Sequence, residues 1–67
     1  MEIILNNRLE KFEYKSITIS ELLKEKNFSF SRIIIKLNGQ LIKKPEYQTT
    51  YVINNDKLDI IHMISGG

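Results

Sequence analysis

Thr18-Ile19-Ser20-Glu21 is the point where the chain's hydrophobic pattern changes period. That change limits the fold to strands with a helix between them. T-x-x-E is a capping box: the Thr18 hydroxyl accepts from the Glu21 amide and the Glu21 carboxylate reaches back to the Thr18 amide. Ile17 before the cap and Leu22 inside the helix match a hydrophobic staple. Ile19, Leu22 and Leu23 then fall on one face at i, i+3 and i+4. The spacing predicts a helix from about Ile19 to Lys26, with Asn27 as a left-handed stop and Lys24 and Lys26 at the negative end of the dipole.

The flanking segments read as strands. Ile3-Ile4-Leu5 ends at Asn6-Asn7, and Leu9 to Tyr14 alternates after it, which predicts a hairpin. Phe28 and Phe30 lie in a polar connection and are expected to plug the underside of the helix. Arg32 to Leu37 runs into Asn38-Gly39, a tight-turn pair, and returns through Gln40-Leu41-Ile42. Lys43-Lys44-Pro45 stops that strand, since proline cannot donate to a ladder. Glu46 to Tyr51 is read as a crossing loop, Asn54-Asn55-Asp56 as a turn and Lys57 to Met63 as a last strand. That strand places Leu58 and Ile60 on one face and Asp59, Ile61 and Met63 on the other. The expected order is β-β-α-β-β-β, an α+β fold with one two-layer core. Residues 1–63 form the domain and residues 64–67 a flexible C-terminal tail.

Composition narrows the chemistry. The 67 residues contain no cysteine, so neither a disulfide nor a thiolate metal site supports the fold. Isoleucine dominates the apolar residues, which favours strands. The net charge of +2 comes from interspersed acids and bases. Such a balance does not point to nucleic acid. No apolar run approaches the roughly 20 residues of a membrane span. Met1-Glu2-Ile3 enters a strand without a basic leader. A cytoplasmic protein without nucleic-acid or membrane partners is the expectation.

A catalytic site needs convergent groups. His62 is the one histidine, and Asp56 and Asp59 do not complete a catalytic or metal set with it. Its expected role is that of a surface or edge residue. Lys43, Lys44 and Lys57 are a candidate basic patch, read as a solvated turn region rather than a nucleic-acid site.

The tail is the remaining candidate. The chain has 3 glycines; one is the turn residue Gly39, and the others are the last two, after Ser65. With glycine at about 7% usage, a Gly-Gly pair arises at a given place about once in two hundred chains. A terminal carboxylate is ionised and unreactive at neutral pH. It becomes an electrophile once activated, for instance as a mixed anhydride with AMP. Glycine lacks a side chain and threads a narrow channel in conformations closed to other residues. Ile64 to Gly67 reach about 13 Å at about 3.3 Å per residue. Gly67 is thus the expected reactive residue, with Ser65 and Gly66 in the tail. With one helix, one sheet face is left open. Ile4, Tyr51, Ile61 and Met63 are expected there as an apolar docking surface.

Several motifs in order resemble the ThiS family of sulfur carrier proteins. They are the opening Met-x-Ile strand with Asn6, Thr18-Ile19-Ser20-Glu21-Leu22-Leu23, and Leu37-Asn38-Gly39-Gln40-Leu41-Ile42. Asn55-Asp56-Lys57-Leu58-Asp59-Ile60-Ile61 and Ile64-Ser65-Gly66-Gly67 complete the series. The chain departs from the family pattern at Pro45, at Tyr47 in place of Trp and at Asn55 in place of Gly. The resemblance implies a ubiquitin-like β-grasp fold, with one helix packed across a mixed sheet, and a carrier rather than an enzyme. It implies an E1-like adenylating partner of the ThiF type, using ATP and magnesium that this chain does not itself bind. A persulfide donor such as a cysteine desulfurase would then leave a thiocarboxylate on Gly67. A thiazole synthase of the ThiG type would accept the sulfur in thiamin biosynthesis. The residues leave three rivals open: the small subunit of molybdopterin synthase, a ubiquitin-like protein modifier, and a β-grasp binding module without covalent chemistry. His62-Met63-Ile64 lacks the proline usual in the first of these.

Overall fold

The computed structural model describes residues 1–63. The expected tail, residues 64–67, lies outside the described residues. Strand β1 (Glu2–Leu5) turns through Asn6-Asn7 into β2 (Arg8–Lys11). The turn residues have φ of 49° and 67°, the left-handed pair that matches the twist of a two-residue hairpin. Asparagine tolerates that region better than most residues. β2 is shorter than the apolar alternation suggested, because β1 has no residues left to pair with it. Past Lys11 the chain instead folds over the N-terminus. Phe12 N donates to the Met1 carbonyl at 2.8 Å, and the Met1 ammonium donates to the carbonyls of Phe12 and Tyr14.

Strand β3 (Ser16–Thr18) leads into helix α1 (Ile19–Glu25). The capping box forms as expected. Glu21 N donates to Thr18 Oγ1 at 3.1 Å, and Thr18 N donates to Glu21 Oε1 at 3.1 Å. At the other end, Phe28 N donates to Leu23 O at 2.8 Å and Asn27 N to Lys24 O at 3.1 Å. With Asn27 at φ 59°, these two bonds make a Schellman stop that satisfies carbonyls of the last turn.

Strands β4 (Ile33–Leu37) and β5 (Gln40–Ile42) form the second hairpin, followed by a 3-10 turn at Lys44–Glu46. Asn38 and Gly39, at φ 52° and 83°, make its two-residue loop. Strands β6 (Tyr51–Ile53) and β7 (Lys57–His62) complete the chain. The main sheet has the order β2-β1-β7-β4-β5. β7 runs parallel to β1 and antiparallel to β4. This is the mixed sheet with one helix that the sequence predicts, with one addition. β3 and β6 pair as a separate two-stranded sheet, Ile17 opposite Val52, where a loop was expected.

The core lies between α1 and one face of the main sheet. Ile19, Leu22 and Leu23 from the helix meet Ile3, Ile35 and Leu58 from the strands, all within 1% of full burial. Burying each such side chain stabilises the fold by roughly 1.5–3 kcal/mol. Phe28 and Phe30 pack partly buried against this cluster, as expected. Tyr47 was read as a loop residue near the lysines, yet it is 4% exposed and belongs to the core. Its carbonyl accepts from Ser20 N at 2.9 Å, which ties the chain after the 3-10 turn to the start of the helix. Burial raises the Tyr47 hydroxyl above its ordinary pKa.

Candidate functional site

β7 is an inner strand of the sheet, and it delivers the chain to residue 64. Its position is set by side chains as well as by ladders. Asn38 Oδ1 accepts from Lys57 N at 2.8 Å, and Asn38 Nδ2 donates to Asp56 Oδ1 at 3.0 Å. Asn54 Oδ1 accepts from Glu2 N at 2.7 Å, and Asn55 N donates to the Glu2 carbonyl at 2.7 Å. The turn before β7 is thereby fixed to both neighbouring strands. Near the far end, Asn6 Oδ1 accepts from Ile60 N at 2.7 Å. Met63 N donates to the carbonyl of Arg32 at 2.8 Å. Arg32 has φ 57°, a left-handed backbone that costs a non-glycine residue roughly 1–2 kcal/mol. The His62 ring lies 5.5 Å from that of Phe28, at the edge of the core.

The open face carries alternate residues of each strand. Ile61 is 46% exposed and lies opposite the half-buried Ile34 of β4. Met63 is exposed just beyond it. Ile4 is half-buried and pairs with Leu9 on one side and Lys57 on the other. Lys57 stands four residues before Ile61, about 13 Å along the strand. The four expected docking residues therefore do not form one patch. Ile61 and Met63 lie together at the tail end of β7. Ile4 shares the face but belongs to its opposite end, beside Lys57 and with Asp59 between that end and Ile61.

Tyr51 is not on this face. It lies in the two-stranded sheet, opposite Thr18, and shares a shallow hollow with Glu21, Lys24 and Gln48 beside the helix start. The expectation treated 46–51 as a loop, and the β3–β6 pairing instead turns Tyr51 toward the helix. The lysine patch also separates. Lys57 sits at the Asn38 end of β4. Lys43 and Lys44 border a cleft with Phe30, Arg32, Ile34 and Tyr47 at the tail end. Sequence reading missed Arg32 and Ile34 as neighbours of the exit, because the β4–β7 register alone brings them there.

Electrostatics distinguish the two ends. The ion pairs among the described residues, Lys26–Glu10 at 3.0 Å and Lys11–Glu2 at 3.5 Å, lie along β2. Arg32, Lys43 and Lys44 take no part in them. The Glu46 carboxylate accepts from Lys43 N at 2.9 Å, so one acid sits beside this cationic rim. Two pKa shifts lie elsewhere. Hydrogen bonds from the Thr18 backbone and hydroxyl hold the Glu21 carboxyl below its ordinary value. The hydrogen bond to Glu25, with its negative charge, raises the Tyr14 hydroxyl. Among the described residues, no cluster of three or more His, Asp or Glu could hold a metal, and no helix is long and apolar enough to cross a membrane.

A helix across a mixed sheet whose C-terminal strand lies parallel to the first defines a ubiquitin-like β-grasp domain. The ThiS family model matches residues 3–67, and the chain belongs to the ThiS family of small sulfur carriers. The fold is similar to that of a thiamine biosynthesis protein (ThiS) from Geobacter metallireducens in its crystal structure. The TM-score is 0.89 at 20% identity, covering 100% of both chains. The solution structure of a thiamine biosynthesis protein from the same organism gives a TM-score of 0.82 at 20% identity, covering 100% of this chain and 88% of that one. In sequence, the chain is 32% identical to the uncharacterized protein ycf40 of Pyropia yezoensis over 53 residues, 79% of this chain and 75% of the relative. It is 26% identical to ycf40 of Trieres chinensis over 61 residues, 91% and 84% of the two chains.

Proposed function

We propose that this chain carries sulfur as a thiocarboxylate on Gly67 and supplies it for thiazole formation in thiamin biosynthesis. The supporting observation is the family match, which runs through Gly66-Gly67 to residue 67. A Gly67 carboxylate oxygen attacks the α-phosphorus of ATP on an E1-like adenylating enzyme, magnesium assisting, and pyrophosphate leaves. A persulfide sulfur, delivered by a donor of the cysteine desulfurase type, then attacks the acyl carbon and AMP leaves. The product is an acyl disulfide. A thiol cleaves it, becoming a disulfide with the donor and leaving the thiocarboxylate. A thiazole synthase is the acceptor. ATP and magnesium belong to the activating enzyme, and the chain is a cosubstrate rather than a catalyst. Residues 1–63 act as the recognition body and residues 64–67 as the reactive tail.

The Ile61 and Met63 surface suits this role, because a partner docked there meets the chain where it leaves the sheet. The test is an intact mass after incubation with the adenylating enzyme, ATP, magnesium and a persulfide donor. The expected change is one oxygen replaced by sulfur, absent when Gly67 is deleted. Adducts of the chain on lysines of other proteins would instead indicate a modifier.

A further inference from the structure

We infer that the main chain from the Ile60 carbonyl to the His62 carbonyl is an open strand edge, on which the adenylating partner adds an extended segment. The inference rests on the carrier reading above. Its basis is the register of β7. Along β7, odd-numbered residues bond to β4: Met63 N donates to Arg32 O, and Asn38 N donates to Lys57 O. Even-numbered residues face β1: Asn6 N donates to Leu58 O at 3.0 Å. β1 pairs with β7 only as far as Leu58, because Asn6-Asn7 turns the chain away into β2. Asn6 Oδ1 then takes the place of the next backbone carbonyl and satisfies Ile60 N.

Beyond Asn6 the ladder has no further member. No hydrogen bond among the described residues takes up Ile60 O, His62 N or His62 O on that side. His62 is exposed, while β4 still holds the other edge through Ile34 and Arg32. The result is a notch in the sheet: a short length of β7, ending two residues before Ile64, that offers two carbonyls and one amide. Unpaired strand edges are templates for another strand, and strand addition supplies main-chain hydrogen bonds without requiring particular side chains. The notch is too short to bind a peptide tightly alone, so its occupant is a segment of the enzyme that also receives the tail.

Amide exchange tests the first half in the free, isotope-labelled protein. His62 NH is expected to exchange quickly, between protected amides of Ile61 and Met63; a protected His62 NH overturns the inference. Adenylation kinetics test the second half. His62→Pro removes the outward amide without touching the β4 ladder, where proline is tolerated on an edge. It should raise KM for the carrier about tenfold, the loss of roughly one hydrogen bond's worth of binding, with kcat unchanged. His62→Ala keeps the amide and should leave KM near wild type. Equal KM values for wild type, His62→Pro and His62→Ala overturn the proposal while the carrier reading stands. Should His62→Pro fail to fold, exchange in wild type with the enzyme and ATP decides: new protection of His62 NH supports the edge, and unchanged exchange sinks it. Absence of any Gly67-dependent adenylation of the wild type overturns the carrier reading, and the docking claim with it.

Discussion

The two halves of β7 differ in how their backbone is satisfied. Lys57 and Leu58 lie between β1 and β4, and Asn38, Asp56 and the Asn54-Asn55 turn lock that end to its neighbours. Beyond the Asn6 side chain, which accepts from Ile60 N, β4 is the one strand among the described residues that stays beside β7. Lys57 N, Lys57 O and Leu58 O are all taken up within the chain, whereas no hydrogen bond among the described residues takes up Ile60 O, His62 N or His62 O on the β1 side. One strand thus combines a fixed anchor with an available end. A carrier needs both, since its body must stay folded while its tail is handed between enzymes.

The largest expected effect comes from breaking the closed half. Leu58 is fully buried and lies between β1 and β4 in that half. Leu58→Ala should cost about 2–5 kcal/mol through lost burial and the cavity left behind, read as a lower denaturant midpoint. Next, Asn38→Gly keeps a left-handed turn but deletes the side-chain bonds to Lys57 and Asp56. It should cost about 1–2 kcal/mol and speed exchange at Lys57 more than at Ile61. A loss confined to Ile61 would reverse the assignment of the two halves.

At the open half, Ile61→Lys should change stability by less than about 0.5 kcal/mol yet weaken adenylation. Unchanged adenylation kinetics would remove Ile61 from the docking surface. The smallest effect concerns the helix start, remote from the exit. The folded Glu21 carboxyl titrates below its ordinary value of 4.5. Its stabilising contribution is therefore complete above that value and fades as pH falls through the lower folded one. Glu21→Gln should flatten this part of the acid limb of the stability curve. A limb identical to wild type would show that the capping carboxylate adds nothing measurable.

What was legible in the sequence is what local chemistry fixes. Thr18 and Glu21 are three residues apart and specify the helix start by themselves. Asn38-Gly39 and Asn6-Asn7 specify their hairpins because the left-handed backbone is a property of those residues. The β3–β6 sheet was not legible, since three-residue strands are too short to alternate and Ser16 meets Ile53 only through the fold. The same pairing moved Tyr51 off the expected docking face. Tyr47 looked like a loop residue because its burial depends on α1 and the 3-10 turn together. Lys43, Lys44 and Lys57 are near one another in sequence, but the β4–β5 hairpin sends them to opposite ends of the sheet. The unpaired edge of β7 is a matter of where β1 stops beside it, and no spacing in the sequence carries that.

The central claim divides the labour: the body is recognised and Gly67 reacts. It is tested by offering the adenylating enzyme a chain that lacks Gly66-Gly67, as a competitor of the full-length protein. The account predicts competitive inhibition, with an inhibition constant close to the full chain's KM, and no adenylate on the shortened chain. No inhibition at saturating concentrations, or adenylation of the shortened chain, would contradict it.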